Sequence, residues 1–510
     1  MTPVSVWPQD AYNQTLIERV HPPNWINPTP QARYDLVVIG AGTAGLVVAA
    51  GAAGLGIGLK IALIEKHLFG GDCLNFGCVP SKTLIRSARA IAEVLQAQTL
   101  GIEVKNIQVN FAQVMERLRK IRSEISHQDS VQRFQALGID VFLGTAHFLE
   151  PSKIAVNDQV LTYRKAVIAT GARASHPPIP GLDKTEFFTN ETIFSLTELP
   201  ARLAVIGGGP IGCELAQAFQ RFGSQVTLFH RHASLLNRET FAAAELLQTQ
   251  FSQEGIKLIL KSQINSVEQT TQGKVLHYQT DSLSDTLTVD ALLVCTGRSP
   301  NIEGLNLEKV GVKGNPQKGI IVNDYLQTTN PHIYAAGDVC LTEKFTHAAD
   351  ASARIVIKNS LFSPWGWGKA KVSDLIIPRV TYTDPEIAQV GLTLEQAQSQ
   401  NPSVQEIRIP LTAIDRGITD GATAGFIQIV YPMGADRILG ATIVAKNAGD
   451  MLSTITLAMT QKLGLNALAQ MIYPYPTQAE MIKKAADTYR KTLLTTQIRK
   501  ILQLLNQFSG

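Results

Sequence analysis

The sequence predicts an α/β fold class with two doubly wound parallel-sheet domains and a C-terminal α+β domain. The first observation is DLVVIG (Asp35–Gly40), a short apolar run that ends in glycine and precedes a helix-like stretch and a second apolar run, KIALIE (Lys60–Glu65). The second observation is that the same order returns in ARLAVIGGGPIGCELAQAF (Ala201–Phe219) and SQVTLFH. The third is that segments after Lys371, such as PRVTYTDPEIAQVG, alternate apolar and polar residues as antiparallel strands do.

Changes in pattern divide the chain into six predicted segments. Because a chain of 510 residues is too long to fold around a single hydrophobic core, several domains are expected. KAVIATGARASHPPIPG and ALLVCTGRSPN end the two lobes in glycine turns, and HIYAAGDVC predicts a strand that returns to the first lobe. The segments are an N-terminal extension at 1–33, which lies on the main body or moves beside it, the first lobe at 34–185, the second lobe at 186–318, a return segment of the first lobe at 319–370, the third domain at 371–490 and a tail at 491–510.

Composition is typical of a soluble globular protein. Charged residues make up 17% and hydrophobic residues 45% of the chain, and the formal net charge of +4 gives no reason to expect a nucleic-acid partner. Five scattered cysteines do not make a disulfide framework, so we expect a reducing compartment, the cytoplasm. The N-terminal residues lack a basic segment followed by an apolar core, and no secretory signal is expected.

One uncharged stretch has the length of a membrane span. Leu36–Leu59 contains 24 residues without a charge, but seven of them are glycines placed as in a strand, a tight turn and a helix. We therefore interpret the stretch as part of the first lobe, with a membrane span as the alternative.

The first glycine cluster, Gly40-Ala-Gly42-Thr-Ala-Gly45, has the spacing of a dinucleotide-binding turn. Glycines let the backbone turn and approach a pyrophosphate, and the following helix N-terminus offers N–H groups and the positive end of its dipole. Glu65 follows Gly45 by 20 residues, where an acid binds ribose hydroxyl groups. The cluster, the strand before it and the acid after it predict an adenine-dinucleotide site, with a plain glycine turn as the alternative.

The second cluster, GGGPIG at Gly207–Gly212, repeats the turn, but the strand after it ends at His230–His232 (HRH). Basic groups at this position suit the extra phosphate of NADP, whereas an acid would bind the ribose of NAD. We therefore favour NADPH. The alternative is a solvated basic loop that accepts either nucleotide.

Two cysteines, Cys73 and Cys78, lie five positions apart in GGDCLNFGCVPSK (Gly70–Lys82). Two dinucleotide sites imply two cofactors, and hydride transfer between a nicotinamide and a flavin uses both; the flavin can then reduce a cysteine pair. Residues five apart on a regular helix have Cα atoms about 8 Å apart, beyond the about 4.4–6.8 Å of a disulfide. We therefore expect Cys73 at a distorted helix start, where the helix dipole lowers its thiol pKa.

Cys73 and Cys78 have two alternative interpretations, and the other three cysteines have a separate one. A zinc site needs further Cys or His at close spacing, which the flanks of Cys73 and Cys78 lack, so no metal site is expected; two buried structural thiols are the other alternative. Cys213, Cys295 and Cys340 lie singly in apolar segments and are interpreted as small core residues.

Several motifs in order make the chain similar to the pyridine-nucleotide disulfide oxidoreductases, the flavoprotein family of dihydrolipoyl dehydrogenase, glutathione reductase and mercuric reductase. They are the first glycine cluster with Glu65, GGDCLNFGCVPSK, IATGA (Ile168–Ala172), GGGPIGCE, CTGRSPN, AAGDV and YPYPTQAE, spread over about residues 34 to 490. The resemblance implies Rossmann-like domains for FAD and for NAD(P), a dimerisation domain and a homodimer. It also implies an enzyme that moves electrons from NADPH, with NADH as the alternative, through FAD to the cysteine pair.

The resemblance implies roles for single residues. Cys73 would be the interchange thiol that meets substrate, Cys78 the thiol against the flavin, and Lys82 a flavin contact paired with Glu214 of the second lobe. Asp338 would bind the ribityl and phosphate part of FAD. The implied FAD contacts are Gly40, Gly42, Gly45, Glu65, Lys66, Gly71, Asp72, Ala146, Ala169, Thr170, Gly171, Gly337, Asp338 and Thr346. The implied nicotinamide-nucleotide contacts are Gly207, Gly209, Ile211, Gly212, His230, Arg231, His232 and Gly297.

The C-terminal motif departs from the disulfide-reducing members. These carry His-x-His-Pro, in which the second His is the acid-base partner of the interchange thiol across the dimer and is supported by a glutamate five residues on. Here Tyr475 occupies the histidine position and Glu480 is retained, and a phenol with a pKa near about 10 is a poor base at neutral pH. A tyrosine there resembles mercuric reductase, although no cysteine follows Cys340 to supply that branch's terminal cysteine pair.

The sequence therefore leaves more than one class of electron acceptor. We expect a mercuric reductase-like enzyme acting on a disulfide, a metal ion or another small acceptor; the alternatives are a dihydrolipoyl dehydrogenase or glutathione reductase-type disulfide reductase and a flavin-binding redox sensor with little turnover. Soft metal ions would bind the inner thiolates. In the tail, helical spacing puts apolar residues on one face beside Arg499–Lys500, which predicts docking within the dimer or, as the sharper hypothesis, peripheral membrane contact.

Overall fold

The structure, a computed structural model, describes residues 4–281, 283–363 and 366–508. The chain divides into two compact units. Unit 1 comprises the chain up to Phe229 together with Ser262–Leu375, and unit 2 comprises His230–Lys261 together with the chain from Ile376 onward.

The helices and strands are numbered in chain order. The α-helices are α1 Ala11–Val20, α2 Thr43–Ala53, α3 Gly71–Asn75, α4 Cys78–Gln96, α5 Phe111–Ser126, α6 Val131–Ala136, α7 Pro210–Phe222, α8 Phe241–Gln253, α9 Thr346–Leu361, α10 Leu394–Gln400, α11 Asp415–Thr419, α12 Ala448–Thr460, α13 Leu465–Gln470, α14 Glu480–Thr492 and α15 Thr496–Phe508. The strands are β1 Tyr34–Ile39, β2 Ile61–Glu65, β3 Asp140–Leu143, β4 Ala146–Glu150, β5 Lys153–Val156, β6 Gln159–Ile168, β7 Ala172–Ala174, β8 Arg202–Ile206, β9 Gln225–Phe229, β10 Lys257–Ile259, β11 Gln263–Thr270, β12 Gly273–Gln279, β13 Ser284–Val289, β14 Ala291–Val294, β15 Arg298–Pro300, β16 Gly314–Asn315, β17 Gly319–Ile320, β18 Ile333–Ala335, β19 Arg379–Thr381, β20 Glu386–Gly391, β21 Val404–Pro410, β22 Phe426–Pro432 and β23 Gly440–Ala445.

A parallel sheet forms the centre of the first lobe in unit 1. Its parallel strands lie in the order β3-β2-β1-β6-β18, and β5 and β4 continue it from β6 as antiparallel strands. β1, α2 and β2 form the predicted β-α-β unit, and β18 is the predicted returning strand. The apolar runs bury completely, as parallel strands covered on both faces require.

The second parallel sheet repeats this arrangement. In unit 1, β8 lies between β9 and β14, all three parallel, and α7 follows β8. An antiparallel sheet of β11, β12 and β13 interrupts the lobe before β14. The α/β class with two nucleotide-binding lobes is confirmed.

The N-terminal extension packs on the first lobe. Residues 11–20 of the extension form helix α1, which begins after the cap residue Asp10 and buries Leu16 and Val20. Asn27 donates a hydrogen bond to the carbonyl of Leu143 over 3.1 Å and accepts one from its N–H over 2.8 Å. The extension therefore covers part of edge strand β3 with side-chain hydrogen bonds.

An antiparallel sheet forms the centre of the C-terminal part of unit 2. Its strands lie in the order β19-β20-β23-β22-β21, and α12, α13 and α14 share a hydrophobic core with it. The predicted α+β third domain is confirmed. The domain boundaries given above stay predictions.

The uncharged stretch Leu36–Leu59 holds most of β1 and all of α2, so the strand, turn and helix interpretation is correct. Across residues 4–281, 283–363 and 366–508, we find no helix that combines the length and the apolar character needed to cross a bilayer.

Candidate functional site

The first glycine turn, between β1 and α2, is sterically restricted to glycine at two positions. Gly40 has a φ of +102°, and a Cβ built on it would lie 2.4 Å from the carbonyl oxygen of Ala169. A Cβ on Gly45 would lie 1.8 Å from the oxygen of Gly40. The middle residue, Gly42, meets nothing closer than the Cα of Gly71, at 3.7 Å. The backbone therefore leaves room at the N-terminus of α2, as the pyrophosphate of a dinucleotide needs.

Glu65 ends β2 beside this turn. Its carboxylate accepts hydrogen bonds from the N–H groups of Ala41, over 2.6 Å, and His67, over 2.8 Å. Burial raises the pKa of Glu65, and these two hydrogen bonds oppose the shift. The carboxylate is thus held at the position predicted to bind ribose, while Lys66 next to it is exposed.

The second glycine turn has the same steric form. Gly207 has a φ of +119° and its Cβ would lie 2.4 Å from the oxygen of Cys295, while a Cβ on Gly212 would lie 1.9 Å from the oxygen of Gly207. Nothing lies within 4 Å of a Cβ built on Gly209, so the start of α7 is open to a phosphate group. Ile211, in the first turn of α7, is exposed at this end.

The basic segment after β9 belongs to unit 2. The Nε of Arg231 donates a hydrogen bond over 3.0 Å to the Nε2 of His232, and burial lowers the pKa of His230. The predicted contact of these three residues with the nicotinamide nucleotide stays a prediction.

The two cysteines lie on either side of a break between helices. Cys73 is in α3, which covers five residues, and Cys78 is the first residue of α4. Phe76 and Gly77 separate the helices, and Gly77 has a non-helical φ of −131° and ψ of −111°. This break agrees with the geometry of a regular helix, which cannot bring two cysteines five positions apart to disulfide distance.

The surroundings of the cysteine pair favour the thiolate at Cys78 over the thiolate at Cys73. A hydrogen bond from Cys73 lowers the pKa of Cys78 to about 6; burial opposes this shift, and Thr346 and Lys82 support it. The Oγ1 of Thr346 lies 3.2 Å from the sulfur of Cys78. Because Cys73 is the donor and is itself buried, its own pKa is raised. The prediction that the helix start lowers the pKa of Cys73 is wrong: the residue at the helix N-terminus and at the accepting end is Cys78.

Lys82 and Glu214 form an ion pair between α4 and α7. The Lys82 Nζ lies 2.9 Å from the Glu214 Oε2, and Glu214 is buried at 5% exposure. The pairing implied by the resemblance is therefore present, whereas the two residues taken alone resemble surface charges. Since Lys82 is one turn after Cys78, its charge also favours the thiolate.

An arginine not singled out from the sequence joins the cysteine segment to the returning strand. The guanidinium of Arg298 lies 3.2 Å from the Asp72 carboxylate and 3.8 Å from the Asp338 carboxylate, and it donates to the carbonyl of Ala172 over 2.8 Å. Burial raises the pKa of Asp338, and the charges of Arg298 and Lys344 oppose the shift. A charge four residues after the end of the buried strand β14 was the available signal.

The other predicted FAD contacts collect at one edge of the first sheet. Parallel strands β1, β6 and β18 present their carboxyl ends together, which is where open α/β sheets bind ligands. Residues after these strands are Gly40, Ala169, Thr170, Gly171, Gly337 and Asp338. Ala146, another predicted FAD contact, begins β4. Gly297, a predicted nicotinamide-nucleotide contact, lies after β14. The residues present fit FAD: two restricted glycines and Gly42 leave a cradle at the helix start, and the buried Nε of Arg298 has no hydrogen-bond partner among the described residues.

Tyr475 and Glu480 lie in unit 2. The phenol of Tyr475 donates a hydrogen bond to the Asp415 carboxylate over 3.0 Å. This bond and the negative charges of Asp415 and Glu480 raise the pKa of Tyr475. Even less of Tyr475 is therefore phenolate at neutral pH than an ordinary phenol pKa implies, so it is a poor general base. Its placement near Cys73 of a second subunit stays a prediction.

The remaining thiols are far from the thiolate state. Burial raises the pKa of Cys213, and raises those of Cys295 and Cys340 to about 12. They are therefore unreactive at neutral pH, as small core residues are. Within the described part of the chain, no three His, Cys, Asp or Glu side chains form a cluster that could hold a metal ion.

Comparison with known families covers most of the chain. Residues 34–354 match the family described as pyridine nucleotide-disulphide oxidoreductase. Residues 377–486 match the dimerisation domain of the same family.

Curated relatives and solved structures agree with this match. The chain is 35% identical over 458 residues to a mercuric reductase of Staphylococcus aureus, covering 90% of this chain and 83% of that protein. It is 32% identical to a mercuric reductase of Streptomyces lividans, covering 89% of this chain and 96% of that protein. The HOCl-induced flavoprotein disulfide reductase RclA of Escherichia coli has a TM-score of 0.79 at 28% identity, covering 89% of this chain and 99% of that one. LpdA of Mycobacterium tuberculosis has a TM-score of 0.81 at 25% identity, with the same coverage of both chains.

Substituting Cys73 tests the charge distribution of the cysteine pair. In Cys73→Ala the hydrogen bond to Cys78 is lost, so the pKa of Cys78 should rise from about 6 towards its ordinary value. The pH profile of Cys78 alkylation by iodoacetamide, followed by mass spectrometry of the reduced protein, measures this shift. Cys73→Ser keeps a donor and should move the profile less, whereas an unchanged profile in Cys73→Ala would contradict the assignment.

Proposed function

The chain belongs to the pyridine nucleotide-disulphide oxidoreductase family, enzymes that use FAD and NAD(P)H, and we propose that its physiological acceptor is a soft metal ion reduced by the Cys73–Cys78 dithiol. FAD, when bound, supplies the two-electron chemistry between the nicotinamide and the disulfide. The dithiol then gives two electrons to the metal, returns to the disulfide and releases two protons. For Hg(II) the product is Hg(0), and for Cu(II) two ions become Cu(I).

The observation that carries this proposal is that the thiolate of Cys78 is favoured while Tyr475, at the position of the histidine base, is unsuitable as a base. The lowered pKa of Cys78 favours its thiolate, and two cysteine sulfurs suit a soft ion. Reducing a disulfide substrate requires a proton for the leaving thiolate, whereas reducing a bound metal ion does not. Tyr475 is held as a donor to Asp415 and cannot serve as the base that a histidine provides in disulfide reductases.

Names of related proteins support both acceptor classes. The relatives named mercuric reductases support a metal ion, whereas RclA, which is also solved as a Cu(II) complex, is named a disulfide reductase. The lipoamide or glutathione-type disulfide reductase is therefore the second candidate function. A redox sensor with little turnover is the third.

The dimerisation domain supports assembly into a homodimer. We propose that Tyr475 and Glu480 of one subunit lie near Cys73 of the other, as in the disulfide-reducing members that the sequence resembles. We also propose a cytoplasmic location, because the cysteine chemistry requires thiols that are not oxidised by their compartment.

An acceptor panel tests the proposed substrate class. With NADPH at neutral pH, thiol-complexed Hg(II) or Cu(II) should support turnover, and lipoamide or glutathione disulfide should be slower by about a hundredfold or more, because general acid-base catalysis contributes about that factor. Tyr475→His should raise disulfide turnover at least about tenfold over Tyr475→Phe, which removes the hydroxyl without adding a base. A wild-type preference for disulfides would overturn the proposal, and no turnover with any acceptor would favour the sensor.

The nucleotide preference is tested at Arg231. We propose that NADPH is preferred because His230–His232 is basic where NAD enzymes carry an acid. Arg231→Glu should lower kcat/KM for NADPH relative to NADH by about tenfold or more, since a charge-assisted contact to phosphate is lost. Lys257→Glu, an equal charge change at an exposed residue of β10, is the control and should leave the ratio unchanged. A ratio unaffected by Arg231→Glu would favour the solvated-loop interpretation.

The tail is a second proposed contact, with an anionic membrane surface. In helix α15 the apolar side chains Ile498, Ile501 and Phe508 are exposed at 40%, 54% and 86%. Arg499 and Lys500 lie on the same helix, and no acidic residue follows Asp487, which suits an interfacial helix on negatively charged lipid.

Liposome co-sedimentation tests the tail. The full chain should sediment with vesicles containing phosphatidylserine and not with phosphatidylcholine alone, in a salt-sensitive way, and a chain lacking residues 491–510 should stay in solution. The truncated protein should remain a dimer in sedimentation analysis. A truncation that instead dissociates the dimer without changing lipid binding would show that the tail docks on the second subunit.

A further inference from the structure

One buried arginine joins the N-terminal extension to the chain between the two redox cysteines. Arg122 lies on α5 and is 2% exposed. Its Nη1 donates to the carbonyl of Asn75 over 2.9 Å, and its Nη2 donates to the Oδ1 of Asn13 over 2.7 Å. Asn75 is the last residue of α3, which carries Cys73, and Asn13 is on α1. All of these residues belong to unit 1.

The acceptor on the extension is itself held in place. The N–H of Asn13 donates to the cap carboxylate of Asp10 over 2.8 Å, and its Nδ2 donates to the carbonyl of Pro8 over 2.7 Å. Asp10 also pairs with Arg119, one turn before Arg122. Burial and the charge of Arg119 lower the pKa of Arg122 to about 10, so the guanidinium stays charged at neutral pH and needs these acceptors.

The other end of the connection is the short helix of the cysteine segment. Asn75 is fully buried, and its Nδ2 donates to the carbonyls of Phe69, over 2.9 Å, and Gly71, over 2.8 Å. A helix of five residues does not persist without tertiary contacts, and its last carbonyls have no partner within the helix. The side chain of Asn75 and the guanidinium of Arg122 therefore keep α3 in register ahead of the break at Phe76.

We propose that Asn13 and Arg122 are positioning residues that set the redox equilibrium of Cys73 and Cys78. A disulfide requires Cα atoms within about 4.4–6.8 Å, and a segment held at Asn75 keeps the cysteines near that distance in the dithiol as well. When the hold is lost, the reduced segment gains conformational freedom that the disulfide form cannot use, so the dithiol is favoured. The inference rests on the proposed function, because it assumes that this pair cycles.

The test compares Asn13→Leu with Asn13→Asp in the full-length holoenzyme. The equilibrium is the disulfide plus two glutathione molecules against the dithiol plus glutathione disulfide, read by mass spectrometry after acid quench and alkylation. Asn13→Leu removes the acceptor for Arg122 and should shift the equilibrium constant about tenfold towards the dithiol, or about 30 mV for the two-electron couple. Asn13→Asp keeps an acceptor and should match the wild type.

Comparing Asn13→Leu with Asn13→Asp distinguishes a positioning role of Asn13 from a general effect on protein stability. Both variants lose the bond to Pro8, and the aspartate also places an oxygen against that carbonyl, so a purely structural role predicts that Asn13→Asp is the worse variant. Gln132→Ala removes a contact of the same extension, to the carbonyl of Glu18 over 3.1 Å, and should leave the equilibrium constant unchanged. Asn13→Ser, too short to reach Arg122, replaces Asn13→Leu if that protein does not fold.

Two results would overturn the inference. One is an equilibrium constant equal to wild type in Asn13→Leu; the other is an equal shift in Asn13→Leu and Asn13→Asp. A wild-type protein in which Cys73 and Cys78 form no disulfide at any glutathione ratio would instead refute the proposed function, so the two failures are distinguishable.

Discussion

The break between α3 and α4, which places Cys73 and Cys78 on separate helices, is the constraint on which the chemistry of this chain depends. Interaction with Cys73 lowers the pKa of Cys78, and Thr346 and Lys82 add to the shift. The break at Phe76 and Gly77 allows this interaction, since a continuous helix would separate the two thiols. Several features of unit 1 then serve this geometry: the Lys82–Glu214 pair, the Arg298 contacts and the buried connection through Arg122.

The two glycine turns satisfy the same steric constraint. In each, a first glycine with positive φ lies against the residue that follows a neighbouring strand, and a third glycine packs against the first. The strands β1 and β8 end in the same way because the helix that follows must start close to the sheet. The middle glycines then leave room at the helix start, as a cofactor phosphate would need, so the same backbone geometry suits both predicted nucleotide sites.

The environment of Tyr475 opposes a role as the base that a histidine would provide. A phenol that donates to Asp415, with Glu480 nearby, is moved away from acid-base function. The motif pointed to this from the identity of one residue, but Asp415 lies 60 residues earlier in the chain, and its contact with Tyr475 requires the folded domain. The same holds for Arg298, which was part of a quoted motif yet had no assigned role until Asp72 and Asp338 were seen beside it.

The amino-acid sequence by itself determined the α/β class, the two glycine turns, the returning strand β18 and the cysteine pair. These depend on local periodicity and on spacing within about twenty residues, which a linear pattern records. Tertiary structure alone decided how helix α1 packs and which arginines hold the cysteine segment. Those outcomes depend on hydrogen bonds between residues more than 40 positions apart, such as Arg122 with Asn75 or with Asn13, and on burial, neither of which has a local signature.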